Sequence, residues 1–201
     1  TTNGTLLEIY AKDLKENGID RINVSLDTID TYKYNQITRF GDLNKVMNGI
    51  NEAKKNNIKI KINVVAIKDF NEKELDSIIE WANQIKVNIT FIEVMPMDET
   101  DTERHFQFLP LSKVYKELNS KYNFYKINKN TGGPSVYYRS GNLSIDVGFI
   151  TPLTNNFCSN CNRVRITSTG RLYMCLGQNN YIDFRQILRN DYSNEYIKQK
   201  I

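Results

Sequence analysis

The chain has 201 residues, enough to bury a substantial core as one domain or two small ones. Its 40% hydrophobic and 25% charged content is ordinary for a soluble globular protein, and no apolar run approaches a membrane span. A net charge of +4 is too weak for a nucleic-acid stripe but leaves room for a local basic site that takes a polyanionic small molecule. The opening Thr1-Thr2-Asn3-Gly4 suits a strand-to-helix loop. The spacing then predicts a helix over 5–17, with Leu7, Ala11 and Leu14 on one face and Asn17-Gly18 as its stop. Arg21 to Leu26 reads as a buried strand. A second helix spans 42–56, with Val46, Ile50 and Ala53 inward. The next strand runs from Lys59 to Ile67; Lys61 and Asn63 share one face, and Ile60, Ile62 and Val64 the other. Asn71 opens a third helix, with Glu74 placed to complete a capping box. That helix carries Leu75, Ile78, Ile79 and Ala82, and Asn88 to Val94 is the strand that follows it.

Alternation of strand and helix over the first 95 residues predicts right-handed βαβ units and a parallel sheet. The pattern alone does not say whether the sheet stays open or curls into a barrel. Polar residues interrupt the strand ends at Ser25, Asn63 and Glu93, and Met95 follows just after. In α/β folds the C-terminal strand ends and the loops after them build the active site. Ordinary alternatives exist for each: a helix cap for Ser25, a core filler for Met95, an exposed edge residue for Lys61. Residues 98–110 read as an irregular acidic loop in which His105 is a surface histidine. A helix over 111–121 follows, then short strands near 124–127, 136–139 and 143–147. This change of rhythm marks a second module from about residue 100. Asp183 to Arg189 reads as a helix start.

All three cysteines fall between Phe149 and Leu176, as Cys158-x-x-Cys161 and, thirteen residues on, Cys175. Arg163, Arg165 and Thr167 alternate with Val164 and Ile166, and Thr169-Gly170 supplies a tight turn. A hairpin closed there brings Cys175 back opposite residues near Val164, so that three sulfurs converge with two arginines beside them. Three thiols leave one over after a disulfide, and fit a reducing compartment. Structural zinc wants four ligands, and His105 is the one histidine in the chain. An iron–sulfur cluster on three cysteines keeps one iron open for another ligand. The cluster is favoured over zinc, and both over ordinary buried thiols.

The stretch resembles the C-terminal cluster motif of the GTP 3',8-cyclases, the molybdenum cofactor biosynthesis protein A family of the radical SAM superfamily. The resemblance rests on Gly148-Phe149-Ile150-Thr151-Pro152, Phe157-Cys158, Cys161-Asn162-Arg163-Val164-Arg165, Thr167, Gly170, Leu172 and Cys175-Leu176. Further pieces along the chain agree: Thr1-Thr2-Asn3-Gly4, Arg21 to Asp27, Ile92 to Pro96, Gly133-Pro134-Ser135 and Asp183-Phe184-Arg185.

The resemblance implies an α/β fold: the later half of a partial TIM-like barrel over 1–99, then a small α+β module over 100–201 that carries a cluster hairpin. It implies conversion of GTP to 3',8-cyclo-7,8-dihydro-GTP by radical chemistry derived from S-adenosylmethionine, in molybdopterin synthesis. Cys158, Cys161 and Cys175 match the ligands of a second [4Fe–4S] cluster, whose open iron takes the guanine. Thr1, Lys61, Arg163 and Arg165 match GTP contacts, and Ser25 and Met95 match S-adenosylmethionine contacts. Expected partners are GTP, a downstream cyclic pyranopterin-forming enzyme, and a second copy in a homodimer, without nucleic acid or membrane. The expected location is cytoplasmic or an organellar matrix. The family's N-terminal C-x-x-x-C-x-x-C motif and its C-terminal Gly-Gly tail are not found in these residues, so the chain is expected to be a fragment that does not cleave S-adenosylmethionine alone. Two alternatives remain: another radical SAM enzyme with an auxiliary cluster, and a zinc-binding module on an α/β scaffold.

Overall fold

A computed structural model describes residues 1–95, 105–154, 163–175, 180–190 and 193–200, the last without the Lys200 side chain. Its centre is a six-stranded sheet in the order β1-β2-β3-β6-β5-β4. Strands β1 (Arg21–Ser25), β2 (Lys59–Ala66), β3 (Asn88–Glu93) and β6 (Val147–Ile150) run parallel to their neighbours. Strands β4 (Tyr125–Ile127) and β5 (Val136–Arg139) add antiparallel at the far edge. The sheet therefore crosses residue 100: β6 pairs with β3, and β5 with β6.

Period-2 alternation decides which side of each strand is dry. Ile22, Val24, Ile60, Ile62, Val64, Ile89 and Phe91 all turn to one face and are buried. Helices cover that face: α1 (Leu7–Glu16), α3 (Leu43–Lys55), α4 (Leu75–Gln84) and α5 (Leu111–Tyr122, after the loop that follows β3). Val46, Ile50, Ile78 and Ile79 are the inward residues of two of these helices. Between β1 and α3 lies a helix not expected from the sequence, α2 (Thr31–Thr38), which buries only Tyr34. Asp30 and Asp42 cap α2 and α3 by accepting the Lys33 and Asn44 amides at 2.9 Å. An aromatic cluster of Phe91, Tyr115, Phe124, Tyr138 and Phe149 joins α5 to the second half of the sheet, with ring centroids 4.8 to 6.4 Å apart.

Two expectations need correction. The strand expected over 143–147 lies at Val147–Ile150. Residues 141–145 turn instead, because Ser144 donates both its amide (2.7 Å) and its hydroxyl (2.9 Å) to Asn83 Oδ1. The capping box at Asn71 and Glu74 does not form, and the segment opens as a 3₁₀ turn (Glu72–Glu74). Asn71 is fully buried and works at longer range. Its Oδ1 accepts the Ile67 amide at 2.7 Å, and its Nδ2 donates to the Asp27 and Val65 carbonyls at 2.7 and 2.8 Å. It thus ties the loop after β1 to the loop after β2. Glu74 instead accepts from Thr28 Oγ1 and Lys33 Nζ.

A second, three-stranded sheet holds β7 (Arg165–Ile166), β8 (Arg171–Tyr173) and β9 (Tyr181–Asp183). The β7–β8 hairpin expected from the sequence is present, with Arg165 opposite Tyr173 and Gly170 in the left-handed region at φ 82°. Helices α6 (Phe184–Arg189) and α7 (Asn194–Lys200) follow, and Asp183 caps α6 through the Gln186 amide.

Candidate functional site

The face of the large sheet turned away from the helices is polar. Parallel register sets Ser25, Asn63, Thr90 and Gly148 in one row across β1, β2, β3 and β6, and Tyr137 of β5 pairs with Gly148 to extend it. Two residues towards the strand N-termini lies a second row: Asn23, Lys61 and Asn88. Thr2 bridges Val24 in parallel, which puts Thr1 beside Asn23 at the end of that second row. Three of the expected site residues, Thr1, Ser25 and Lys61, therefore come to one face by strand pairing alone.

Lys61 is held rather than loose. Its Nζ donates to the Tyr137 hydroxyl at 3.3 Å, and that hydroxyl also shares a 2.9 Å hydrogen bond with Thr131 Oγ1. Burial alone would raise the Tyr137 phenol, but the hydrogen bonds to Thr131 and Lys61 and the Lys61 charge outweigh it and hold the phenol below its ordinary range. Lys129 Nζ sits 5.1 Å from the centroid of the same ring and donates to Asp146 Oδ2 at 2.7 Å, while Arg139 Nε donates to Asp146 Oδ1 at 2.9 Å. This end of the face is cationic, with one carboxylate already engaged, and suits an anionic ligand.

Asp146 gives a pH prediction. Burial raises its pKa, but the hydrogen bonds from Arg139 and Lys129 dominate, and the folded value lies below the unfolded one. A depressed carboxylate stabilises the fold above its unfolded pKa, and that contribution is lost as pH falls through the folded value. Asp146→Asn is expected to cost roughly 0.5–1 kcal/mol at pH 7, allowing for solvent screening of the exposed Arg139, and progressively less as pH falls towards the folded value. Urea midpoints from pH 7 to pH 3 check it: the wild-type and variant curves should converge at the acid end.

At the opposite, C-terminal end of the strands, Asp27 Oδ1 accepts the Val65 amide at 2.8 Å. Burial pushes the Asp27 carboxyl up despite that hydrogen bond. Glu93, at the end of β3, is 2% exposed. Its carboxylate accepts the Leu111 amide at 3.0 Å, the Leu153 and Thr154 amides at 3.1 Å each, and the Thr154 hydroxyl. One side chain thus caps α5 and anchors the segment that leads from β6 towards the cysteines. Met95 is half-buried just beyond it.

Arg163 and Arg165 are both exposed. The Arg163 guanidinium reaches the loop before β5: a Cβ on Gly133 would lie 2.9 Å from its terminal nitrogen. Arg163, two residues before β7, therefore approaches the loop that leads into β5. Cys175, free and half-buried, follows two residues after Tyr173, the partner of Arg165 in the hairpin. Cys158 and Cys161 lie outside the described residues. Among the described residues no group of three His, Cys, Asp or Glu side chains could hold a metal ion. Sequence reasoning missed Thr90 and Tyr137 on this face and the loop ties made by Asn71. Thr90 and Tyr137 face the polar side only because of strand register, which no local pattern announces.

Residues 87–201 match the family described as Molybdenum Cofactor Synthesis C, more than half of the chain. The chain belongs to that family. Residues 1–82 match the radical SAM superfamily. Among curated relatives, the GTP 3',8-cyclases of Brucella ovis, Brucella canis and Brucella suis are each 48% identical to this chain over all of its 201 residues. The chain spans 58% of the length of each. The Molybdenum Cofactor Synthesis C match covers α5, β4 to β6 and the hairpin, so it includes Gly148, Arg163, Arg165 and Cys175; the radical SAM match covers β1 and β2 with Ser25, Lys61 and Asn63.

Proposed function

We propose that this chain carries the nucleotide-binding part of a GTP 3',8-cyclase, which converts GTP to 3',8-cyclo-7,8-dihydro-GTP in molybdenum cofactor biosynthesis. The observation that supports it most is the fixed ammonium of Lys61 on a polar sheet face that also carries Thr1 and Ser25. A bound triphosphate would lie on Lys61, with Thr1 at the end of the same row. Arg163 and Arg165 would add charge-assisted contacts from the hairpin, where a planar guanidinium suits a phosphate or a purine edge. Ser25 and Met95, near the C-terminal strand ends, would contact S-adenosylmethionine.

The fit to a polar ligand rests on this face having buried oxygens with no protein partner, Asn63 Oδ1 and Thr90 Oγ1. Cys158, Cys161 and Cys175 would hold the second [4Fe–4S] cluster. S-adenosylmethionine and the clusters supply the radical chemistry when bound; the protein binds, aligns and excludes water. On the same reading the large sheet is part of a TIM-like barrel, with 1–99 its later half and 100–201 the substrate and auxiliary-cluster module. The partners are GTP, a downstream cyclic pyranopterin-forming enzyme and a second copy in a homodimer, in a reducing cytoplasm or organellar matrix.

Calorimetric titration of the reconstituted protein with GTP tests the proposal. GTP should bind and ATP should not compete at equal concentration. No GTP binding, or equal binding of ATP, would overturn it.

A further inference from the structure

Two ammonium groups lie over the ring of Tyr137, Lys129 Nζ at 5.1 Å and Lys61 Nζ at 5.9 Å from its centroid. They differ in what else they touch. Lys129 pairs with Asp146 at 2.7 Å, and Arg139 takes the other oxygen of the same carboxylate at 2.9 Å. Among the described residues no carboxylate pairs with Lys61. Its Nζ donates to the Tyr137 hydroxyl at 3.3 Å. A carboxylate would fix the ammonium and cancel its charge; a neutral phenol fixes it and leaves the charge for a ligand.

The contact spans the whole face. Strands β2 and β5 are separated by β3 and β6, about 14 Å along a sheet at the usual strand spacing. The Tyr137 ring covers part of that distance by lying across β6 at Gly148, where a Cβ would sit 3.0 Å from Tyr137 Cε1. The same Cβ would meet Ser135 Oγ at 2.4 Å and Thr90 Oγ1 at 2.7 Å, so any side chain at this position would displace the ring. Tyr137 is 1% exposed and packed in place. Its hydrogen bonds have a direction. An ammonium only donates, so the phenol oxygen accepts from Lys61, and the phenol O–H is left to donate to Thr131 Oγ1 at 2.9 Å. Thr131 is held in turn, because its carbonyl accepts from Arg21 Nη1 at 3.3 Å. A free lysine loses its rotamer freedom when it meets a ligand, whereas one already ordered loses less and binds more tightly.

We propose that Tyr137 is a positioning residue: lying across Gly148, its hydroxyl aims the Lys61 ammonium, charge uncancelled, at the phosphates of a nucleotide. The inference rests on the proposed nucleotide binding at Lys61 and adds what orders that lysine before the ligand arrives.

Tyr137→Phe keeps the ring and removes the hydroxyl. Binding is measured for GTP, guanosine and inorganic tripolyphosphate, in wild type, Tyr137→Phe, Lys61→Met and the double variant. Tyr137→Phe should weaken GTP and tripolyphosphate about tenfold and leave guanosine within about twofold, because only the phosphates meet Lys61. In the Lys61→Met background the same change should alter GTP affinity less than about twofold, since the group it positions is gone. A loss shared equally by GTP and guanosine, losses that multiply in the double variant, or no loss at all would overturn the role. If Tyr137→Phe does not fold, Thr131→Val decides in its place: a loss confined to the phosphate-bearing ligands supports the network, and its absence overturns it. If wild type binds no GTP, the proposed function falls, and tripolyphosphate alone judges Tyr137. Dependence of that binding on the hydroxyl keeps the inference; indifference to it, or no binding, ends it.

Discussion

Glu93→Ala should cost about 3–5 kcal/mol of folding stability, a drop of roughly 10 °C in melting temperature for a chain of this size. The reason is the number of groups that converge on one buried carboxylate. Two amides from the β6 loop, the first amide of α5 and one hydroxyl all donate to it. Alanine leaves these donors unpaired, and each costs about 1–3 kcal/mol where water cannot replace the carboxylate. The negative charge at the start of α5 is lost as well, and it is favourable against the helix dipole. Glu93→Gln keeps the shape but points an amide N–H at donors, so it should recover only part of the loss. Urea unfolding measures both variants. A cost below 1 kcal/mol for alanine would mean that the carboxylate does not hold the segment after β6 in place.

Reversing Arg163 or Arg165 to glutamate should weaken GTP binding more than reversing an exposed lysine far from the polar face, such as Lys12. A lost charge-assisted contact costs about 1.5–3 kcal/mol, or roughly 10- to 150-fold in affinity. Arg163 is expected to show the larger effect, because its guanidinium already reaches the Gly133 loop at the edge of the polar face. Titration with GTP, GDP and guanosine gives the discriminating detail. If the arginines bind phosphate, the penalty shrinks as phosphates are removed; if they bind the purine edge, it persists with guanosine. Equal affinity of wild type and both variants for all three would remove the arginines from the site.

Local pattern made the first half of the fold legible. Ile22, Val24, Ile60, Ile62 and Val64 alternate cleanly, and Val46, Ile50 and Ala53 recur at helical spacing, so β1, β2 and α3 follow within a residue or two. The motif around Gly170 likewise announced the hairpin. Elements whose reasons are non-local were missed. Helix α2 buries one residue, Tyr34, and so has no apolar stripe to read. Leu143, Ile145 and Val147 alternate like a strand, but Asn83 captures Ser144 and bends the chain there, leaving the pairing to Val147–Ile150. Asn71 and Glu74 have capping-box spacing, yet their partners lie at residues 27, 28, 33, 65 and 67. The site divides the same way. Lys61 and Ser25 could be named from the strands that carry them. Thr90, Ser135 and Tyr137 become neighbours only when β3, β5 and β6 pair.

Metal analysis after anaerobic purification goes most directly to the cysteine chemistry. About four irons and four sulfides per chain should be found, as a cubane cluster requires, and Cys158→Ser should lose them. Stoichiometric zinc in place of iron, or a metal content indifferent to Cys158→Ser, would contradict the assignment.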